Sequence, residues 1–327
     1  MDNDSSITRI DHKDPRNIAV LEAERRLFAR YGLAYKTHFV ELHEPRLSVR
    51  VLEAGEGRPL LMVPGGAGDA WPYIPLMAEL DGWRMIAVNR PGGGLSDGVD
   101  FRTVDVRRLA VDTLRAVADA FELERVPIIS NSMGGLWSFW YALEYPERVS
   151  NMAQMGCPAL MLDTSAPLFM RLLGVPGING FIAPVMQPKS ADSALQGLRS
   201  QGCSQQDIDR MSEETAEAAY QFFNLPTYLD TWKTLISAVA TLKGANPKYQ
   251  LGADQLRRVQ QPVQFVWGEK DPFGDLDIAR QAVEIMPDAR LHEMRTGHLP
   301  FLDRPEETGH VIREFLSHNG GSNGDRR

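Results

Sequence analysis

Short apolar runs alternate with amphipathic segments along most of the chain. Runs continuous enough to predict buried strands lie at 59–63, 83–88, 126–130, 149–155, 263–267 and 289–293. Segments with apolar side chains at helical spacing lie at 104–121, 133–145, 275–285 and 305–316. Continuous apolar strands that alternate with helices are typical of a mostly parallel sheet covered on both faces, so the pattern predicts an α/β fold.

The alternation is interrupted between residues 158 and 249, where the pattern is helical. Predicted helices lie there at 191–198, 205–223 and 227–242, with no strand signal. The insertion could form a cap over the sheet or extra helices packed on its flank. We favour a cap, because the insertion leaves and re-enters at carboxyl ends of strands, where α/β sheets place their sites.

The two ends of the chain do not follow the alternating pattern of its middle part. The first sixteen residues and the last eight are too polar to pack, while 17–31 predicts an amphipathic helix. Two antiparallel strands, 38–42 and 47–52, then meet at a turn at Glu44-Pro45. The expected domains are an extension 1–37, a core 38–157 and 250–318, a cap 158–249 and a disordered tail 319–327. Whether the N-terminal helix packs on its own chain or in a homo-oligomer stays open.

Composition narrows the range of partners. The 327 residues include 35 basic and 43 acidic side chains, a net charge of −8, so no basic excess exists to neutralise nucleic-acid phosphates. The longest uncharged run, 126–143, contains Pro127 and a Gly134-Gly135 pair, which suits a buried strand–turn–helix better than a membrane span. With no apolar leader at the N-terminus, we expect a cytoplasmic protein that acts on a small molecule.

The sharpest chemical feature is the run SNSMGG at 130–135, directly after a predicted strand and before a predicted helix. A nucleophilic hydroxyl at such a strained turn needs small residues two before and two after it, here Ser130 and Gly134. Ser132 is therefore the candidate nucleophile. The same turn puts the Met133 backbone N–H at a helix N-terminus, where an oxyanion would form.

This strand–turn–helix resembles the nucleophile elbow of the α/β-hydrolase family, and the resemblance covers nearly all of the chain beyond the N-terminal extension. It implies an eight-stranded, mostly parallel sheet with an inserted helical cap. In that family the Gly-rich turn after the third strand gives a second oxyanion donor, which implies Gly66 in the matching segment 63–68. Pro64 stands where the family often has histidine. The segment 89–97 matches the family's turn after the fourth strand, a structural signature to which no catalytic role is assigned.

The family's chain order of nucleophile, acid and histidine implies the other two catalytic residues. Asp271 follows the predicted strand 263–267, and His298 follows 289–293 on a loop. The other histidines lie in a terminus, beside or within strands, or in the last helix. Asp163, after the strand 149–155, is the alternative acid. His298 would take the Ser132 proton, and water would later release an acyl-enzyme.

The resemblance favours a serine hydrolase acting on a medium-sized, largely apolar ester or lactone. Expected substrate contacts are Trp71, Asn131, Phe222 and Trp232. Asp69, on the oxyanion loop, either points to solvent or contacts a polar substrate group. No dinucleotide fingerprint, Walker A motif or zinc-protease motif occurs, and Cys157 and Cys203 have no metal spacing, so no cofactor, metal or disulfide framework is expected.

Other functions stay open. The elbow and the Gly-rich loop also resemble those of the meta-cleavage-product hydrolases, which split carbon–carbon bonds, although Leu-Pro-Phe at 299–301 replaces the tryptophan that usually follows their histidine. A cofactor-free perhydrolase would use the same catalytic residues. The non-enzymatic alternative is a ligand-binding receptor, since some proteins of the same fold are receptors.

Overall fold

The computed structural model describes residues 6–175 and 177–319. Its strands are Ile7–Thr8 (β1), Tyr35–His43 (β2), Arg46–Ala54 (β3), Arg58–Val63 (β4), Trp83–Val88 (β5), Gly98–Val99 (β6), Val126–Asn131 (β7), Val149–Met155 (β8), Ala240–Thr241 (β9), Gly244–Ala245 (β10), Val263–Gly268 (β11) and Ala289–Met294 (β12). Within the described ranges, eight strands form one sheet in the order β12-β11-β8-β7-β4-β5-β3-β2, parallel from β12 to β5. The predicted fold class is confirmed.

Helices surround this sheet. They are Pro15–Arg30 (α1), Ile74–Met77 (α2), Val106–Ala120 (α3), Ser132–Glu144 (α4), Leu168–Leu173 (α5), Asn179–Met186 (α6), Ala191–Gly197 (α7), Gln205–Ile208 (α8), Glu213–Phe223 (α9), Tyr228–Val239 (α10), Ala253–Arg258 (α11), Leu276–Ile285 (α12), Pro300–Asp303 (α13) and Pro305–Asn319 (α14). Capping side chains set several starts: Asp105 accepts the Arg108 N–H before α3, and Asp275 accepts the Ile278 N–H before α12. Among the described residues, no helix combines the length and apolarity needed to cross a bilayer.

The sheet is buried on both faces, which explains the continuous apolar runs. On β4, Leu61 and Val63 pack into one core with α3, α4 and α12, while Leu60 and Met62 pack into another with α1, α2 and α14. Every position of β7 and β11 is buried. A strand covered on both sides has no solvent-facing position to fill with polar residues, so period-two alternation disappears.

The N-terminal segment packs more closely than expected. Residues 7–8 pair antiparallel with β6, and the Arg9 guanidinium forms an ion pair with Asp97. Helix α1 packs on its own chain, where the buried Glu24 carboxylate binds Arg50 of β3 through two hydrogen bonds of 2.6 and 2.9 Å. The expectation that the first sixteen residues do not pack is therefore wrong for 7–10, because the backbone pairs with β6 and both Arg9 and the Ile10 N–H bind Asp97. The β2–β3 hairpin was predicted correctly, but its first strand begins at Tyr35, inside the expected extension.

Residues 158–249 (called the insert below) differ in detail from the prediction. The single helix expected at 205–223 is two, α8 and α9, because the Ser212 hydroxyl accepts the Thr215 N–H and starts a new helix. Helices α5 and α6 were not predicted, and β9 and β10 form a short hairpin where no strand was expected. At the other end of the chain, the expected tail lies outside the described residues except for Asn319, which ends α14.

Candidate active site

Ser132 lies at the sharp turn between β7 and α4. Its φ is +49°, a left-handed conformation that costs a residue with a side chain about 1–3 kcal/mol. A Cβ on Gly134 would overlap the carbonyl oxygens of Val63 and Pro64, so only glycine fits two residues after the serine. Two residues before it, the buried Ser130 hydroxyl donates to Gln154 Oε1 at 2.8 Å. The predicted elbow geometry, including its small flanking residues, is present.

Asp271 and His298 meet at the same edge of the sheet, beyond the carboxyl ends of β11 and β12. His298 Nδ1 lies 2.7 Å from Asp271 Oδ2, and both side chains are almost fully buried. The carboxylate also accepts the backbone N–H groups of Cys157 on Oδ2 and Phe273 on Oδ1. Since the carboxylate fixes Nδ1 as the donor, Nε2 is the free nitrogen, and it has no hydrogen-bond partner among the described residues. The alternative acid, Asp163, is exposed.

The Gly-rich loop after β4 lies directly beside Ser132. A Cβ on Gly65 would stand 2.7 Å from the Ser132 Cβ, so the loop and the serine are in close contact. Asn131 Oδ1 accepts the Gly65 N–H at 2.7 Å and the Tyr73 hydroxyl at 3.0 Å. Within the described part of the chain, the N–H groups of Gly66 and Met133 donate to no other residue. They are thus free to bind a ligand oxygen.

Arg90 holds the same loop from behind. Its Nε donates to the Pro64 carbonyl at 2.9 Å, and its Nη2 donates to the Gly65 and Gly66 carbonyls at 3.1 and 2.6 Å. The guanidinium also stacks over the Trp137 ring, 4.7 Å from its centroid. With these three carbonyls turned towards Arg90, the loop conformation is fixed. Sequence reasoning missed this residue: its segment was treated as a structural signature only, although it follows a strand at the same edge of the sheet.

Above these groups lies a cavity of about 670 Å³. Ser132, His298, Gly66 and Met133 all line it, and the insert closes it with side chains from α5, α7 and α10. The Ser132 hydroxyl makes no hydrogen bond to His298 Nε2 in this structure, and both groups border the same space. Most of the lining is apolar. Within the described residues, the carboxylate and ammonium groups of the lining are Asp69 and Lys189.

The expected substrate contacts separate into two groups. Trp71 and Trp232 line the cavity as predicted. Phe222 does not: it is fully buried and packs against Trp71, whereas the neighbouring Phe223 lines the cavity. Asn131 borders the cavity, but its oxygen accepts the Gly65 N–H and shares the Tyr73 hydroxyl with the Val63 carbonyl, so that oxygen positions the loop.

Asp69 points away from solvent, contrary to one of the two expectations. Its side chain is 7% exposed and lines the cavity, and its Oδ1 accepts the Gly94 N–H at 2.6 Å. Burial raises the pKa of Asp69 to about 7, against the opposing effects of the Gly94 N–H and Arg90. Burial also raises the pKa of the Cys157 thiol and of the Tyr73 phenol, which line the same cavity, so both stay protonated.

Metal ions are bound in proteins mainly by His, Cys, Asp and Glu side chains. Among the described residues, no group of three or more His, Cys, Asp or Glu side chains is arranged to hold a metal ion.

Comparisons with known proteins concern the family and the fold. The family model of the alpha/beta hydrolase fold matches residues 58–305. A 2-hydroxy-6-oxononadienedioate/2-hydroxy-6-oxononatrienedioate hydrolase of Paraburkholderia phymatum is 28% identical over 279 residues, which cover 83% of this chain and 91% of that protein. A 2-hydroxy-6-oxo-6-phenylhexa-2,4-dienoate hydrolase of Comamonas testosteroni is 29% identical over 291 residues, 85% of this chain and 95% of that protein.

Solved structures give the same fold. The crystal structure of carboxylesterase CesB from Bacillus subtilis aligns with a TM-score of 0.69 at 17% identity, covering 93% of this chain and 99% of that one. At this identity the likeness concerns the fold alone.

Proposed function

The chain belongs to the α/β-hydrolase fold family, and we propose that it is a serine hydrolase that cleaves a medium-sized, uncharged ester or lactone through an acyl-enzyme. The observation that carries this proposal is the His298 imidazole. Its Nδ1 is held by a buried carboxylate, while its Nε2 is unpartnered at the wall of the cavity that Ser132 also lines. A general base needs this combination of a fixed tautomer and a free nitrogen.

In the proposed reaction, His298 Nε2 takes the Ser132 proton as Ser132 Oγ attacks the carbonyl carbon. Asp271 keeps the proton on Nδ1 and stabilises the imidazolium that forms. His298 then protonates the leaving alcohol. In the second half, it removes a proton from water as the water attacks the acyl carbon, and the imidazolium then returns a proton to Ser132 Oγ as the acid leaves.

The oxyanion of each tetrahedral intermediate would bind the Gly66 and Met133 N–H groups. Both are without acceptors among the described residues, which supports this role. Each such donor is worth roughly 3 kcal/mol of transition-state stabilisation. We propose Arg90 as the residue that positions this loop.

The insert would serve as a cap. Three contacts tie it to the catalytic edge: the Thr231 hydroxyl donates to the Gly92 carbonyl, the His298 N–H donates to the Gln201 carbonyl, and Trp232 packs close to Gly66. A cap held this way excludes water from the reacting groups, which strengthens electrostatic interactions inside the cavity.

The charges of the cavity favour an uncharged substrate. Above its pKa of about 7, Asp69 would repel a nearby carboxylate, and Lys189, the ammonium of the described lining, is itself exposed. A charge taken into an apolar cavity without a partner costs several kcal/mol. An ester or lactone avoids this cost.

A second candidate is hydrolysis of a carbon–carbon bond. The sequence relatives favour it, because they are named for dienoate and dienedioate substrates at 27–29% identity over most of the chain. The same three residues could serve that reaction, but its carboxylate substrates fit the charges of the cavity less well.

A substrate comparison separates the two candidates. The purified protein is given an aryl ester, a medium-sized lactone and 2-hydroxy-6-oxo-6-phenylhexa-2,4-dienoate, and kcat/KM is measured for each. We expect the best ester or lactone to exceed the dienoate by at least about tenfold, the smallest difference that an unpaired carboxylate in the cavity should produce. A larger kcat/KM for the dienoate would overturn the ester proposal in favour of the second candidate.

The positioning role of Arg90 gives a further prediction. In Arg90→Lys, a single ammonium replaces a planar guanidinium that holds three carbonyls, so the Gly66 N–H is displaced from the oxyanion. We expect kcat to fall about 100-fold, as for loss of one oxyanion donor, with KM changed far less. Arg84→Lys is the matched control, because Arg84 lies on β5, the strand that precedes Arg90, and its partly exposed guanidinium pairs with Glu53 instead of the loop. An equal loss in both variants, or a loss confined to KM, would contradict the assignment.

A further inference from the structure

The cavity holds one carboxyl group that the proposed reaction does not use. Asp69 is only 7% exposed, and it lies at the end of the same loop that carries Gly66. Its Oδ1 is taken by the Gly94 N–H, but its Oδ2 receives no hydrogen bond from another described residue. Because the carboxyl also lines the cavity, a donor on a bound ligand can reach that oxygen.

Hydrogen bonds and aromatic side chains surround the Asp69 carboxyl and hold it in position. The Gly94 bond is short, at 2.6 Å, and the Ala70 N–H next to Asp69 donates to Asn89 Oδ1 at 2.8 Å. The aromatic side chains of Trp71, Tyr228 and Trp232 line the same cavity. Tyr228 is close enough to Asp69 to be affected by its charge. Burial is the main cause of the raised pKa of the Tyr228 phenol, and the negative charge of Asp69 raises that pKa further.

We propose that Asp69 is a specificity-determining residue whose free oxygen accepts a hydrogen bond from a hydroxyl or amide N–H on the substrate. This inference rests on the proposed function, since it takes the cavity to be the substrate site. It narrows the substrate class to uncharged esters or lactones that carry a hydrogen-bond donor away from the reacting carbonyl. A substrate with an ether or a methylene at that point leaves the carboxyl unfilled and binds more weakly.

The neutral variant Asp69→Asn tests this without removing volume. Its amide oxygen can still accept the Gly94 N–H, so the loop is retained, while an NH₂ group replaces the free oxygen. The cavity then presents a donor where the native chain presents an acceptor. If the preference for a hydroxyl ligand over its ether depends on Asp69, that preference must therefore weaken or reverse in the variant.

Binding is measured by calorimetry in the Ser132→Ala background, so that the result does not depend on turnover, and at a pH well above the Asp69 pKa of about 7, so that the carboxyl is charged. The ligands are N,N-dialkyl amides of hydroxyalkanoic acids, which carry no amide N–H, with the hydroxyl moved along the acyl chain and each paired with its methyl ether. We expect the best hydroxy amide to bind about 10- to 100-fold more tightly than its ether, the range for a hydrogen bond to a charged group. In Ser132→Ala/Asp69→Asn this ratio should fall to about one or below.

Asp230→Asn in the Ser132→Ala background is the matched control, because Asp230 is a largely exposed carboxylate on α10, two residues from Tyr228 in sequence. The ratio should be unchanged there. A ratio that Asp69→Asn leaves unchanged, or a ratio near one at every hydroxyl position, would overturn the proposal. Failure of the proposed function is a separate result: it would appear as absent ester and lactone turnover by the wild-type protein, with the binding ratios still readable.

Discussion

Replacement of Ser132 by alanine is expected to lower kcat for ester hydrolysis by about 10⁶-fold, as for other activated serine nucleophiles. The elbow strain, the free N–H groups and the His298 imidazole all converge on this one hydroxyl, and none of them can act without it. His298→Ala should cost a similar factor. Because the two groups act as a unit, the double variant should be about as slow as either single variant. Steady-state rates of the three proteins on one aryl ester check this.

Covalent labelling tests the same nucleophile without a chosen substrate. A fluorophosphonate should add one adduct to the wild-type protein, seen by intact mass, and none to Ser132→Ala or His298→Ala. Ser317→Ala, an exposed serine on α14, is the control and should label like the wild type. An adduct that persists on Ser132→Ala would place the reactive group elsewhere. An unlabelled wild type would remove the support for an activated serine and favour the receptor alternative.

Much of this site could be predicted because its signals are local in sequence. Ser132 is identified by a strand, the two small residues Ser130 and Gly134 that flank it, and a helix, all within one short segment. Asp271 and His298 each follow a recognisable strand, and all parallel strands end at the same edge of the sheet, so the fold itself brings distant loops together.

The contacts that could not be predicted depend on packing between distant segments. Asn131 was expected to bind substrate, but its oxygen meets Gly65, 66 residues away in sequence. Phe222 and Phe223 are both aromatic and adjacent, and a helix turns by about 100° per residue, so only the packing of α9 decides which one meets the cavity. The short helices α5 and α6 have too few residues to produce a recognisable period.

Asp69 and Arg90 illustrate the same limit. Each lies in a loop whose glycines predict a turn, but nothing in the local pattern predicts that the Asp69 carboxyl is buried at the wall of the cavity. Nor does the pattern reveal that a guanidinium binds three consecutive carbonyls. Sequence patterns of this kind locate the site, whereas the groups that tune it follow from the tertiary contacts.

Replacement of Asp271 by asparagine is the second large effect, an expected fall in kcat of about 10⁴-fold with the fold retained. All three partners of this carboxylate are donors: His298 Nδ1, the Cys157 N–H and the Phe273 N–H. An amide NH₂ must therefore oppose at least one of them. If it faces His298, the imidazole proton moves to Nε2, which can no longer accept the Ser132 proton. If it faces Phe273, the tautomer survives, but the negative charge that stabilises the imidazolium is gone.

Nitrogen-15 spectra of the His298 ring distinguish these two orientations, because the protonated and free ring nitrogens resonate far apart. Asp163→Asn is the matched control: this exposed carboxylate is the alternative acid, and its replacement should change kcat by less than about threefold, as for surface substitutions in general. A 10⁴-fold loss in Asp163→Asn would instead mean that the insert rearranges to bring Asp163 to the imidazole during turnover. The buried 2.7 Å contact of Asp271 with Nδ1 argues against that rearrangement, since breaking it would leave a carboxylate deprived of a partner in the protein interior.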